Sequence, residues 1–190
     1  MIRPAELEDF DSIIRIRKAS ALDMAKLKNT GYRVQVQRSG FLLPIELTFE
    51  DFEKNLSNYS VYLDNGRVSG YVRVDTGHDI KPKTKVFWLK EELRQVYFSE
   101  PHSYIYGIGV LPETRHKGIA TKMMQSVETK TRALGITYLF SLAVLSPVTN
   151  FPSMMLHEKN GFERLVVVLE PISVNDPADY QALMYGKKLI

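Results

Sequence analysis

Cysteine is absent from the 190 residues, which excludes disulfides, thiolate metal sites and a cysteine nucleophile. A reducing, cytoplasmic location fits such a chain. Long apolar runs are also missing. Stretches such as Leu165 to Leu169 are far too short to cross a bilayer, so no membrane segment is expected. Met1 to Glu6 turns acidic at once without an apolar signal core, so export is not expected either. Charge of one sign is scarce: 25 Lys and Arg stand against 22 Asp and Glu, a net +3. That is too mild for the concentrated basic face that nucleic acid demands. No repeat, low-complexity tract or linker divides the chain. With 44% hydrophobic and 25% charged residues, one folded domain over residues 1–190 is expected.

Local patterns supply the elements. Ile2-Arg3-Pro4 reads as a short strand, followed by a helix carrying Leu7, Phe10, Ile13 and Ile14. A second helical stretch runs from about Ala21 to Lys28, and Phe41 to Pro44 reads as an apolar loop. Asn65-Gly66 supplies the positive dihedrals of a tight hairpin between Tyr59–Leu63 and Val68–Val74. After an interruption from Gly77 to Ser103, strands and helices alternate: strand Tyr104–Leu111, helix Gly118–Ala133, strand Thr137–Val144, helix Pro152–Lys159, then strands Phe162–Glu170 and Ala182–Leu189. This is an α/β chain with a sheet of mixed direction. Within the interruption, Phe87, Trp88, Leu89, Leu93, Val96 and Tyr97 fit one helical face.

The richest segment is Tyr104 to Ala120, where a strand delivers the chain to a turn and a helix leaves it. The first amides of a helix lack intrahelical acceptors and carry partial positive charge, which suits a phosphate. Gly118 permits close backbone approach, Ala120 keeps the helix start narrow, and Arg115 and Lys117 add charge. Alone, such a turn is more often a solvated basic turn. It matches neither of the glycine-rich nucleotide motifs. Gly107 and Gly109 lie two apart on the preceding strand, as if either a ligand arm or a bulky neighbour approached the backbone there.

The run Gly107 to Ala120 resembles the coenzyme-binding motif of the GNAT superfamily of acyl-CoA-dependent N-acyltransferases: a strand ending in V-x-P, then [RQ]-x-x-G-x-[GA] opening a helix. Asn150 to Phe162 resembles a second block, N-x-x-A-x-x-L-Y-x-x-x-G-F. The resemblance implies a mostly antiparallel central sheet of six to seven strands flanked by about four helices, with an insertion before the fourth strand. It implies acetyl-CoA as cosubstrate, no metal, and direct attack of a primary amine on the thioester in a ternary complex. By this resemblance the coenzyme would meet Ile108, Val110, the turn Arg115, His116, Lys117, Gly118, Ile119, Ala120 and Thr121, and Asn150 and Ser153. The Val110 backbone N–H would polarise the thioester carbonyl.

His157 stands where many members carry the tyrosine that protonates the leaving thiolate. Histidine can do this; otherwise it is an exposed helical histidine. The strand holds no carboxylate, so the base stays open among Tyr106, which shares a strand face with Tyr104, His102, which is equally a loop histidine, and an ordered water. Glu113, after Pro112, decorates the turn. Asn150 also fits a helix cap. Phe41, Trp88, Tyr97 and Phe98 either line the acceptor site or fill the core. Acceptor identity and self-association through a sheet edge stay open. A catalytically silent acyl-CoA sensor is the competing reading.

Overall fold

The Asn65-Gly66 turn forms as its residue types require. Both residues take positive φ, 48° and 76°, and close the hairpin of strands β2 (Tyr59–Asp64) and β3 (Arg67–Thr76). Around this hairpin a computed structural model, describing residues 1–76, 85–92, 94–95, 101–173 and 176–189, assembles one sheet. Its other strands are β1 (Ile2–Pro4), β4 (Lys85–Trp88), β5 (His102–Val110), β6 (Tyr138–Ser146), β7 (Glu163–Ser173) and β8 (Asp176–Lys188). They lie in the order β1-β2-β3-β5-β6-β8-β7-β4. Every neighbouring pair is antiparallel except β5 and β6.

The mixed, mostly antiparallel sheet agrees with expectation, but it has eight strands rather than six or seven. Part of the surplus comes from the interruption. Phe87 and Trp88, read as part of a helical face, instead belong to β4, which pairs with β7 at the sheet edge. Leu93, Val96, Tyr97 and Phe98 lie outside the described residues.

Among the described residues five α-helices accompany the sheet: α1 (Phe10–Ser20), α2 (Thr30–Ser39), α3 (Phe49–Lys54), α4 (Ile119–Ala133) and α5 (Phe151–Lys159). The stretch read as helix from Ala21 is shorter, a 3₁₀ turn over Met24–Lys28 capped by Asp23. The α-helix begins after it, where the Asn29 side chain accepts the Tyr32 N–H. Strand alternation sorts the helices onto faces. Tyr71 packs with Ile13 and Ile16 of α1, whereas its neighbour Val72 packs with Ile119 and Met123 of α4. The buried stripe of α4 is Ile119, Met123, Met124 and Val127; Leu134, just past its end, is 57% exposed. Each fully buried side chain of this size contributes about 1.5–3 kcal/mol.

Candidate active site

The parallel pairing of β5 with β6 stops early. His102 to Ile105 face Tyr138 to Ser141, yet both strands continue, to Val110 and Ser146. Beyond Ile105 they separate. On its other side β5 stays paired with β3 up to Val110, with a bulge at Tyr106. Leu111 N–H donates to Ser69 O at 2.9 Å. Peptide groups alternate along a strand, so Ile108 and Val110 turn theirs away from β3 and into the opening. Val110 O is taken by the Ser20 hydroxyl and Arg115, but among the described residues no backbone acceptor is recorded for the Ile108 and Val110 N–H groups, and an extended ligand can complete the hydrogen bonding there.

Below the opening the chain turns into α4. His116 and Gly118 both adopt positive φ, 63° and 75°. Among the described residues, no backbone acceptor is recorded for the N–H groups of His116 to Thr121. Alternating left-handed residues followed by a free helix start form a concave array of donors for an anion. A Cβ placed on Gly118 would meet nothing within 4 Å, so the space in front of it is open. Lys117 is exposed, 3.9 Å from Asp64.

Arg115 does not share in this array as expected. Its guanidinium turns back, donating to Ser39 O at 2.7 Å, Gly40 O at 3.3 Å, the Ser20 hydroxyl at 2.8 Å and Val110 O at 3.3 Å. Burial lowers its pKa from the usual arginine value. The side chain therefore fastens the ends of α1 and α2 to the end of β5. Asn150 works from the other wall. Its Oδ1 accepts Ser153 N–H at 3.2 Å, capping α5, and its Nδ2 donates to Phe41 O at 2.8 Å. The segment Ser39 to Phe41 thus straddles the opening, held on one side by Arg115 and on the other by Asn150. Replacing Arg115 by alanine strands several acceptors and is expected to cost about 2–4 kcal/mol in chemical denaturation. Arg115→Gln, which can still donate, should recover part of it.

A family model for GNAT acetyltransferases matches residues 22–162, a span that contains β5, the amide turn, α4 and α5, and all of Arg115's partners except Ser20. The chain belongs to the GNAT acetyltransferase family. No curated protein sequence matches it. Solved acetyltransferase structures share the fold at low identity. An N-acetyltransferase from Staphylococcus aureus Mu50 is 21% identical with a TM-score of 0.64, covering 100% of this chain and 98% of that one. A ribosomal-protein-alanine N-acetyltransferase from Brucella melitensis is 18% identical at 0.64, covering 99% of each chain. The protein yncA of Salmonella typhimurium, solved with its cofactor acetyl-CoA, is 16% identical at 0.62, covering 100% of this chain and 94% of that one.

In this GNAT chain His157 is neither an exposed histidine nor a ready acid. It is 3% exposed, stacked on Tyr185 with ring centroids 4.7 Å apart and edge-on to Phe162. Nδ1 lies 2.6 Å from Ser153 O, which accepts its proton and fixes the tautomer. Nε2 has no partner among the described residues. Burial holds the pKa at about 4. At neutral pH, Nε2 therefore carries a lone pair and no proton to give.

The two strand glycines divide. A Cβ on Gly109 would come within 2.4 Å of Tyr71 Cε1 and 3.0 Å of Ile16, so packing explains that glycine. Gly107 meets nothing within 4 Å. The bulge brings Tyr106 to the surface, 49% exposed, with Tyr104 at 5.0 Å and Arg73 stacked on its ring at 4.6 Å. Bulges often re-aim a side chain beside a site in this way. His102 sits at the paired end of β5, buried against Phe140, away from the separation. Phe41 is core, and Trp88 packs against the same cluster.

Strand β5 carries no carboxylate, but the neighbouring β3 does. Asp75 is buried, receives a two-pronged contact from Arg73 and accepts from Asn58. The signal was available: Tyr71, Arg73 and Asp75 alternate onto one face of the strand after the hairpin. This carboxylate orients Arg73, and through it the Tyr106 ring.

Proposed function

We propose that this protein moves an acetyl group from acetyl-CoA to a primary amine by direct attack in a ternary complex. The observation that carries the reading is the separation of β5 from β6 above a turn of unpaired amides. The pyrophosphate would rest on the N–H groups of His116 to Ala120, with Thr121 beside them. The pantetheine arm would lie along Ile108 and Val110, with Ser153 on the opposite wall. Asn150 supports that wall by capping α5. The deprotonated amine attacks the carbonyl carbon, and the Val110 N–H receives the oxyanion. The C–S bond then breaks and coenzyme A leaves as its thiolate. A thiol of reference pKa near ~8.5 is a tolerable leaving group, and water can supply its proton. Because His157 is neutral, the reading places no acid there, and it leaves removal of the amine proton to Tyr106 or water.

Two measurements test this. Acetyl-CoA at a hundred times its dissociation constant should stabilise the fold by about 2.7 kcal/mol, seen as a raised thermal midpoint. Thiol release should then depend on an added amine. Binding without amine-dependent release would favour the sensor, and no shift with any acyl-CoA would defeat both readings.

A further inference from the structure

Positive charge is sparse in this protein but unevenly placed. From Arg15 to Arg38 the chain carries seven basic side chains, Arg15, Arg17, Lys18, Lys26, Lys28, Arg33 and Arg38, against one acid, Asp23. Since the whole chain is only +3, the remainder is acidic overall. Only part of this charge is engaged by the fold. Arg17 donates to the Tyr71 hydroxyl and Ile45 O, and Arg15 to Val68 O. Lys26 pairs with Asp23. Lys18, Lys28, Arg33 and Arg38 are exposed, with no ion pair recorded among the described residues.

The same segment rims the opening. The Ser20 hydroxyl reaches Val110 O at 3.4 Å, and Ser39 and Gly40 are tied to Arg115. Leu22 and Leu42 pair across the two connections. Coenzyme phosphates explain only one end of this charge. Arg38 lies in the last turn of α2, next to the Ser39 carbonyl held by Arg115, but Lys28 lies beyond the other end of that helix, whose start at Thr30 is already about 12 Å away at 1.5 Å per residue. Such a distance exceeds the screening length of about 8 Å at physiological salt.

We propose that the basic segment over α1 and α2 selects an acidic acceptor, an amine carried on a carboxylate-rich peptide. This rests on the acyltransferase reading. A nucleic acid is disfavoured because its exocyclic amines donate their lone pairs into the bases and are poor nucleophiles. A peptide N-terminus or lysine supplies a basic amine, and Asp or Glu side chains around it would meet Lys28 and Arg33. Complementary charge of this kind acts on encounter and on choice of partner.

The test compares two fluorescein-labelled peptides with free N-termini, one in which Asp and Glu alternate with glycine and one carrying Asn and Gln instead. Anisotropy is read in the presence of coenzyme A. The acidic peptide should bind about tenfold more tightly, and 0.5 M salt should erase the difference. Lys28→Glu with Arg33→Glu should abolish the preference, whereas Lys54→Glu with Lys188→Glu, the same charge change elsewhere, should preserve it. Equal binding of the two peptides, loss of preference in both variants, or displacement of the acidic peptide by single-stranded RNA at lower concentration would overturn the proposal. Thiol release is measured in parallel. Its absence with every amine would defeat the acyltransferase reading, while the binding arms still decide whether the segment prefers acidic peptides.

Discussion

Gly118→Asp should abolish coenzyme binding and leave the fold standing. The position has φ 75°, where a side chain other than glycine is strained by about 1–2 kcal/mol. An added Cβ finds open space, so nothing in the interior must move. That open space is where the proposed pyrophosphate would approach the amides of His116 to Ala120. A carboxylate there sets negative charge against negative charge, and acetyl-CoA affinity should fall at least about a hundredfold, near 2.7 kcal/mol. Gly118→Asn separates the causes, because asparagine tolerates the left-handed region and carries no charge. Thermal midpoints of the two variants should agree, while titration calorimetry should show the Asp variant binding much more weakly. Equal affinity in both would assign the loss to backbone strain. Unchanged affinity would place the phosphates elsewhere.

Acid should destabilise the protein through one histidine. His157 is held at about 4 by burial, against a reference value near 6.5 for the unfolded chain. Above pH 6.5 the ring is neutral in both states, and stability is complete. As pH falls from 6.5 toward 4 the unfolded chain takes up a proton that the folded one refuses, so stability declines by about 3 kcal/mol across that window. Urea unfolding at intervals of pH should show the slope, and His157→Phe should remove it. Turnover at pH 7 gives an independent reading. With a neutral His157, the phenylalanine variant should keep kcat within about tenfold. A fall of a hundredfold or more, with coenzyme affinity intact, would restore histidine as the proton donor.

Much of this arrangement was legible in the residues. Asn65-Gly66 fixed one hairpin, and the strand, turn and helix around Gly118 declared themselves because free amides and positive φ have a residue signature. What escaped were matters of direction. Arg115 reads as charge for a phosphate, yet its guanidinium finds the carbonyls of Ser39 and Gly40, far away in sequence. No local pattern announces a partner separated by 76 positions. In the sequence His157 reads as either catalytic or exposed, because its helix is short and apolar on several sides. Only the placement of Tyr185 and Phe162 shows that it is buried. Gly107 and Gly109 look equivalent in the sequence, and the bulge beside them and the ring of Tyr71 give them different explanations. The helical reading of Phe87 and Trp88 failed because a four-residue strand satisfies the same apolar spacing when β7 offers an edge.

In the proposed complex acetyl-CoA lies along the Ile108 and Val110 N–H groups of β5 and ends on the amide turn. Residue-resolved amide hydrogen exchange with and without acetyl-CoA tests it most directly. The N–H groups of Ile108, Val110 and Lys117 to Ala120 should each slow by more than about tenfold on binding, with little change at amides of β2. Binding that raises the thermal midpoint while those amides exchange as before would contradict the placement.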